Sequence, residues 1–209
     1  MTVWDLPTRI YHWLQAVLFI GLIGTGFKGN GPHIYFGLAL FSLLLWRVCW
    51  GVVGSDTSRF KNFIRSPKAV IDYLRGKNQH SIGHNPAGGW MVVFMLAMLL
   101  TQCITGLILA DILTRAPFFS LLITDSIVDI AGIMHGISAL LLLLMVAVHL
   151  IAILIYKLRS KPLVLAMITG VQKTIKQPNY SINIASNVKA IAILAGALIV
   201  TTVLVLSSS

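Results

Sequence analysis

Long apolar runs separated by short polar or basic segments dominate the chain. An apolar helix of about 20 residues crosses the roughly 30 Å hydrocarbon layer of a bilayer, so each run is a candidate span. The candidate spans are 10–27, 33–53, 90–110, 130–156 and 190–206. The first is short for a span and begins amphipathically. The pattern predicts an all-α membrane protein.

The order of the spans predicts one membrane domain without a separate soluble domain. Residues 1–160 hold four spans and are expected to form a four-helix bundle. Residues 161–189 are expected to connect it, on the cytoplasmic side, to an additional C-terminal transmembrane helix at 190–209. Hydrophobic residues make up 57% of the 209 residues, which agrees with this class. No small-residue cleavage pattern follows the first run, so we expect an uncleaved anchor rather than a signal peptide.

Basic residues are concentrated in two of the polar segments. The first, 54–89, and the second, from 157 onward, carry most of them: Arg59, Lys61, Arg65, Lys68, Arg75, Lys77, Lys157, Arg159, Lys161, Lys173, Lys176 and Lys189. The opposite segments carry only Lys28 and Arg115. The positive-inside rule then predicts a cytoplasmic N-terminus and a periplasmic C-terminus. The net charge of +10 indicates topology rather than nucleic-acid binding, because the charges flank apolar spans without a binding motif.

Four histidines fall at the ends of the predicted spans. His135 and His149 share one run and are separated by roughly 21 Å along a helix and about 40° around it. Ionisable groups within a membrane are costly and usually functional. In the predicted topology His149 and His12 lie near the inner surface, whereas His135 and His33 lie near the outer surface. The histidines therefore sort into two levels.

Two levels of paired imidazoles predict two haem groups. A bis-histidine haem needs nitrogen atoms on opposite sides of its iron, and helical bundles build such sites from facing side chains. The levels pair His12 with His149 and His33 with His135. Small residues such as Gly37, four positions after His33, would leave room for a porphyrin, although membrane helices also pack through small residues. The alternative is four structural histidines with satisfied hydrogen bonds. The chain lacks a Cys-x-x-Cys-His motif, so the haems would be held without covalent links.

Several separated motifs resemble the prokaryotic cytochrome b561 family, which includes the b-type cytochrome subunits of membrane hydrogenases. The motifs are VWDLPTRIYHW at 3–13, HIYFG at 33–37, WRVCWG at 46–51, GHNPAGGW at 83–90 and AMITG at 166–170, together with the fourth span. The resemblance covers the chain up to about Lys173. It implies two b haems in a four-helix bundle, with ligands at His12, His33, His135 and His149. It leaves the role of the fifth span open, because only some members have one.

Three further polar residues are candidates for cofactor contacts. Arg47, near the inner end of the second span, would pair with a propionate of the inner haem. The alternative is an interfacial arginine that extends to the cytoplasm. Arg9, one turn before His12, is a similar candidate. His84 would contact the inner haem edge or a quinone, or else order the loop before the third span.

The sequence thus predicts a dihaem cytochrome b of the bacterial inner membrane, acting as an electron-transfer subunit of a respiratory chain. Its resemblance implies electron transfer between the quinone pool and a periplasmic partner, such as a c-type cytochrome, a dehydrogenase or a hydrogenase subunit. One alternative is a superoxide oxidase that reduces quinone, and another is a structural anchor without haem. The outer segments carry Asp111, Asp125 and Asp129 against Lys28 and Arg115, a balance that does not favour attraction of a superoxide anion.

Overall fold

The computed structural model describes residues 1–26, 32–77, 83–172 and 182–208. Within these residues the chain is helical and contains no strand, apart from one isolated bridge between Thr2 and Val171. The helices are α1 (Leu6–Gly26), α2 (His33–Val53), α3 (Phe60–Phe63), α4 (Pro67–Leu74), α5 (Pro86–Leu109), α6 (Ile112–Arg115), α7 (Asp125–Leu158), α8 (Leu163–Thr169) and α9 (Asn187–Ser207).

Four helices in the described part of the chain are long and apolar enough to cross a membrane: α2, α5, α7 and α9. They correspond to four of the five predicted spans. Helix α1 has 21 residues, but Arg9, His12 and Gln15 lower the hydropathy of its first half. A crossing by α1 therefore stays a prediction, and its predicted end at residue 27 lies outside the described residues.

Helix α7 is longer than its apolar run. It begins at Asp125, directly after Thr124, and its 34 residues give a length of about 51 Å. This exceeds the hydrocarbon layer, so part of α7 lies beyond it. Hydropathy marks only the apolar part of a helix, so the predicted span at 130–156 lies within α7 and begins five residues after the first residue of the helix.

Helix α2 lies at the centre of the packing. Helices α1 and α9 pack on α2, α2 also contacts α5, and α5 packs along α7. The buried cluster between them includes Tyr11 of α1, Leu44 of α2, Leu99 of α5 and Leu142 of α7. In contrast, most of α7 presents apolar side chains outward, as expected for a helix surrounded by lipid. The cluster leaves a space between the α1–α2 and α5–α7 pairs near one end.

Helix α9 is joined to α2 by polar contacts as well as apolar ones. The Ser42 hydroxyl donates to Thr201 Oγ1 at 2.8 Å, and the Trp46 indole nitrogen donates to the Ala190 carbonyl at 3.0 Å. Interhelical hydrogen bonds of this kind stabilise membrane bundles by about 1 kcal/mol each. The C-terminal helix is therefore a packed part of the helix assembly. The segment predicted to connect it contains α8, and its residues 173–181 lie outside the described part.

The N-terminal segment is fixed to the end of α8. The backbone nitrogens of Val3 and Trp4 donate to the Gly170 carbonyl at 2.8 and 3.1 Å. Gly170 has φ 79°, and a Cβ there would lie 2.8 Å from the Trp4 carbonyl oxygen. Only glycine fits this close, left-handed turn without strain. The contact positions the start of α1, and with it His12.

Candidate functional site

His33 and His135 face each other across the space between the helix pairs. Their ring centres are 6.3 Å apart and their planes are inclined by 74°. Both line a cavity of about 890 Å³ whose wall is formed by α1, α2, α5, α7 and the segment after α5. This volume lies within the range of cofactor pockets, and the lining is mostly apolar. The geometry brings together the two histidines predicted for the outer level.

Each of these imidazoles contacts a threonine on the neighbouring helix. Thr25 Oγ1 of α1 lies 3.1 Å from His33 Nδ1, and Thr105 Oγ1 of α5 lies 2.9 Å from His135 Nδ1. The contacts hold one nitrogen of each ring against a helix. The other nitrogen, Nε2, remains available to a ligand.

The residue after each threonine is a glycine, and the same imidazole packs against it. A Cβ at Gly26 would lie 3.2 Å from Cε1 of His33, and one at Gly106 would lie 3.2 Å from Cε1 of His135. Such contacts are tighter than ordinary van der Waals packing, so glycine allows each ring to lie directly on the adjacent backbone. The two Thr-Gly pairs were missed by the sequence analysis. Their recurrence near the ends of the first and third spans was the available signal.

His12 of α1 and His149 of α7 form the second pair at the other end of the helices. Their imidazoles are close enough to interact electrostatically. The Nδ1 atom of His12 is buried and has no hydrogen-bond partner among the described residues. The Trp13 ring lies nearly perpendicular to the His12 ring, with ring centres 5.1 Å apart. In the described structure neither ring of this pair has a threonine partner.

The arrangement fits a haem at the level of His33 and His135. A bond from a metal to an imidazole nitrogen is about 2 Å long, so ring centres 6.3 Å apart leave room for one metal ion between two rings. The apolar cavity around the rings suits the body of a porphyrin. At the second level, the buried and unpartnered nitrogen of His12 and the nearby His149 supply the same donor set.

Arg47 is buried rather than extended into the cytoplasm, with 3% of its surface exposed. Its Nη1 donates to the Ser58 carbonyl at 3.3 Å, and its guanidinium carbon lies 5.1 Å from the centre of the Phe60 ring. No carboxylate within the described ranges lies within ion-pair distance of it. The snorkelling alternative is therefore wrong, because the segment after α2 folds back over the side chain.

Arg9 contacts α8. Its Nη1 donates to the Ile168 carbonyl. A Cβ at Gly170 would lie 3.2 Å from its Nε, a buried atom without a partner among the described residues. The side chain therefore joins the first turn of α1 to the end of α8. A contact between Arg9 and a cofactor stays a prediction.

His84 is packed between two aromatic rings. Its ring centre lies 4.7 Å from that of Trp4 and 4.5 Å from that of Phe63. Burial, with a smaller contribution from the positive charge of Arg47, lowers the pKa of His84 to about 3. The imidazole is therefore neutral at physiological pH. Its aromatic contacts join the residue two positions before α5 to Trp4 and Phe63. Both a contact with haem or quinone and a role in ordering the loop stay predictions.

A buried polar cluster around Asp5 was not foreseen from the sequence. Asp5 is 2% exposed. Its carboxylate accepts from the Thr8 backbone nitrogen at 2.6 Å, the Ser58 hydroxyl at 2.9 Å and the Trp50 indole at 3.3 Å. The first contact is a helix N-cap for α1. The sequence signal for it was the occurrence of Asp5 and Thr8 in the motif at 3–13 and of Trp50 in the motif at 46–51. The cluster fixes α1, α2 and the following loop to one another.

The model of the family described as prokaryotic cytochrome b561 matches residues 3–170. No curated protein and no solved structure matches the chain. The family match covers well over half of the chain and includes both histidine pairs, whereas α9 lies outside it. The chain therefore belongs to the prokaryotic cytochrome b561 family, which makes it a membrane b-type cytochrome of electron transport.

Proposed function

We propose that the protein binds two haem b groups and transfers electrons across the inner membrane between the quinone pool and a periplasmic redox partner. The observation that carries this proposal is the placement of His33 and His135, whose ring centres are 6.3 Å apart across an apolar cavity. His12 of α1 and His149 of α7 supply a second pair, which shares only α7 with the first. Two levels of paired imidazoles would place two haem groups at different depths along the membrane normal.

Each histidine pair has the same task in this proposal. His33 and His135 hold the outer haem, and His12 and His149 hold the inner one. Bound haem supplies one-electron chemistry, while the protein supplies ligation, orientation and a low dielectric. The apolar side chains around the cavity exclude water from the ligand nitrogens. Helix α1, whose own hydropathy is the lowest of the long helices, crosses the membrane as part of this bundle.

Arg47 is proposed to bind a propionate of the inner haem. A buried guanidinium is costly unless a negative group neutralises it. The buried carboxylate of Asp5 interacts with Arg47 electrostatically, but no described carboxylate lies within ion-pair distance of it. The adjacent Trp46 stacks on Tyr11, with ring centres 5.4 Å apart, and Tyr11 precedes His12. Arg47 is therefore at the level of the inner pair. A propionate would supply the direct ion pair that Asp5 does not make.

The periplasmic partner is proposed to approach the segment between α5 and α7, which the positive-inside rule places outside. Asp111, Asp125 and Asp129 are exposed there, and Phe118 is 76% exposed. Acidic and apolar groups together suit a basic protein such as a c-type cytochrome. Arg115 forms an ion pair with Asp111 at 3.7 Å, so this segment presents little free positive charge to superoxide.

The test of the proposal is the haem content of the purified full-length chain. The pyridine haemochrome assay should give two haems per chain, and acid acetone should extract both, since no covalent attachment motif is present. A redox titration should resolve two components. A ratio near one, or haem that remains attached after extraction, would contradict the proposal.

A further inference from the structure

We propose that Thr25 and Thr105 are positioning residues that fix the tautomer of His33 and His135 and tune the outer haem. The proposal rests on the proposed function, because it assigns these histidines to the outer haem. The two contacts are equivalent although they occur on different helix pairs. In each, the hydroxyl of one helix meets Nδ1 of a histidine on the helix beside it.

The direction of each hydrogen bond follows from the single proton of a hydroxyl group. Thr25 Oγ1 lies 2.8 Å from the Gly21 carbonyl oxygen, closer than the 3.1 Å to His33 Nδ1. Thr105 Oγ1 lies 2.8 Å from the Thr101 carbonyl oxygen and 2.9 Å from His135 Nδ1. A carbonyl oxygen only accepts, so the hydroxyl proton is donated within the helix. The threonine oxygen then accepts from Nδ1–H.

This assignment leaves Nε2 as the unprotonated nitrogen of both rings. Coordination to iron requires such a lone pair, and a hydrogen bond from the other ring nitrogen fixes both tautomer and ring orientation. The threonines thus prepare both imidazoles for coordination before any cofactor binds. The glycines that follow, Gly26 and Gly106, let the rings approach the backbone closely enough for the contact.

The hydrogen bond also has an electronic effect whose sign is fixed. Donation from Nδ1–H makes the imidazole a more basic ligand, which stabilises ferric relative to ferrous iron. Removal of the acceptor should therefore raise the midpoint potential of the outer haem. Because the described structure gives neither His12 nor His149 a threonine partner, the same substitutions should leave the inner haem unchanged.

The test uses Thr25→Val and Thr105→Val, which keep the side-chain shape and remove the hydroxyl, with Thr25→Ser and Thr105→Ser as conservative variants. Thr101→Val is the matched control. Thr101 lies one turn before Thr105 on α5 and donates to the Ala97 carbonyl at 3.0 Å, but its hydroxyl bonds to none of the described histidines. Each holoprotein is examined by haem assay, redox titration and electron paramagnetic resonance of the ferric low-spin signals.

The valine variants should keep two haems and show an upward shift of the outer midpoint potential with a changed low-spin signal. The serine variants and Thr101→Val should match wild type. An unchanged outer potential and signal in both valine variants would overturn the proposal. If the valine variants lose the outer haem, the serine variants decide the outcome. Serine variants that retain the outer haem with wild-type potential would support the proposal, whereas serine variants that also lose this haem would overturn it. Failure of the ligand assignment is distinguishable, because His33→Ala would then keep both haems.

Discussion

The two histidine pairs are held in different ways. His33 and His135 each contact a threonine hydroxyl and lie against a glycine, beside a cavity of about 890 Å³. His12 has a buried ring nitrogen without a partner in the described structure, and its chain neighbour Tyr11 stacks on Trp46, which directly precedes the buried Arg47. In the proposed assignment, one site is shaped by hydrogen bonds to its histidines and the other by the positive charge of Arg47.

This difference predicts different redox potentials for the two proposed haems. Basic, hydrogen-bonded ligands lower the potential of the outer haem, whereas a buried cation favours the reduced, less positive state of the inner haem. We expect the outer haem to have the lower midpoint potential. The difference in midpoint potential by itself would then favour electron transfer from the outer to the inner haem.

The largest expected effect comes from adding a side chain at the two glycines that contact His33 and His135. Gly26→Val or Gly106→Val would place side-chain atoms where the His33 or His135 ring now lies, since even a Cβ would come within 3.2 Å. We expect loss of the outer haem with retention of the inner one, measured by haem content and redox titration. Gly24→Ala is the control, because a Cβ there meets no described atom within 4 Å. Loss of the inner haem instead would reverse the assignment of levels.

The charge at the inner site gives the next largest expected effect. Arg47→Gln should lower the midpoint potential of the inner haem, because it removes a positive charge from beside a proposed propionate. The outer haem should barely respond. Arg59→Gln is the control, since Arg59 already donates to the Gly54 carbonyl at 2.7 Å and lies 3.5 Å from Asp56. Equal shifts in the midpoint potentials of both haems, or no shift in either, would show that Arg47 does not belong to the inner site.

Much of this arrangement could be predicted from the sequence, because it depends on helix periodicity. The spacing of His135 and His149 predicted two levels on one helix, and His33 faces His135 in the structure. The inner and outer sides assigned from the loop charges stay a prediction. The orientation of the Arg47 side chain could not be predicted, because it depends on how the segment with Ser58 and Phe60 folds back over the end of α2. Contacts between helices, such as Thr25 with His33, depend on the rotation of each helix about its axis, which hydropathy does not specify.

The smallest expected effect concerns the approach of a partner to the outer haem. Replacing Asp111, Asp125 and Asp129 together with asparagine should slow electron transfer to a basic c-type cytochrome at low salt and flatten the dependence on ionic strength. The haem potentials should not change. Asp72→Asn is the control, because Asp72 lies in α4, in a segment predicted to be cytoplasmic, and pairs with Lys77 at 3.8 Å. An unchanged salt profile would place the docking surface elsewhere.

The pairing of ligands is the central claim, and single histidine replacements test it most directly. His12→Ala, His33→Ala, His135→Ala and His149→Ala are purified in detergent, checked for monodispersity, and examined by haem assay and redox titration. His33→Ala and His135→Ala should each retain one haem, the same higher-potential component. His12→Ala and His149→Ala should each retain the other. Loss of the same haem from His12→Ala and His33→Ala, or two haems in any variant, would contradict the pairing.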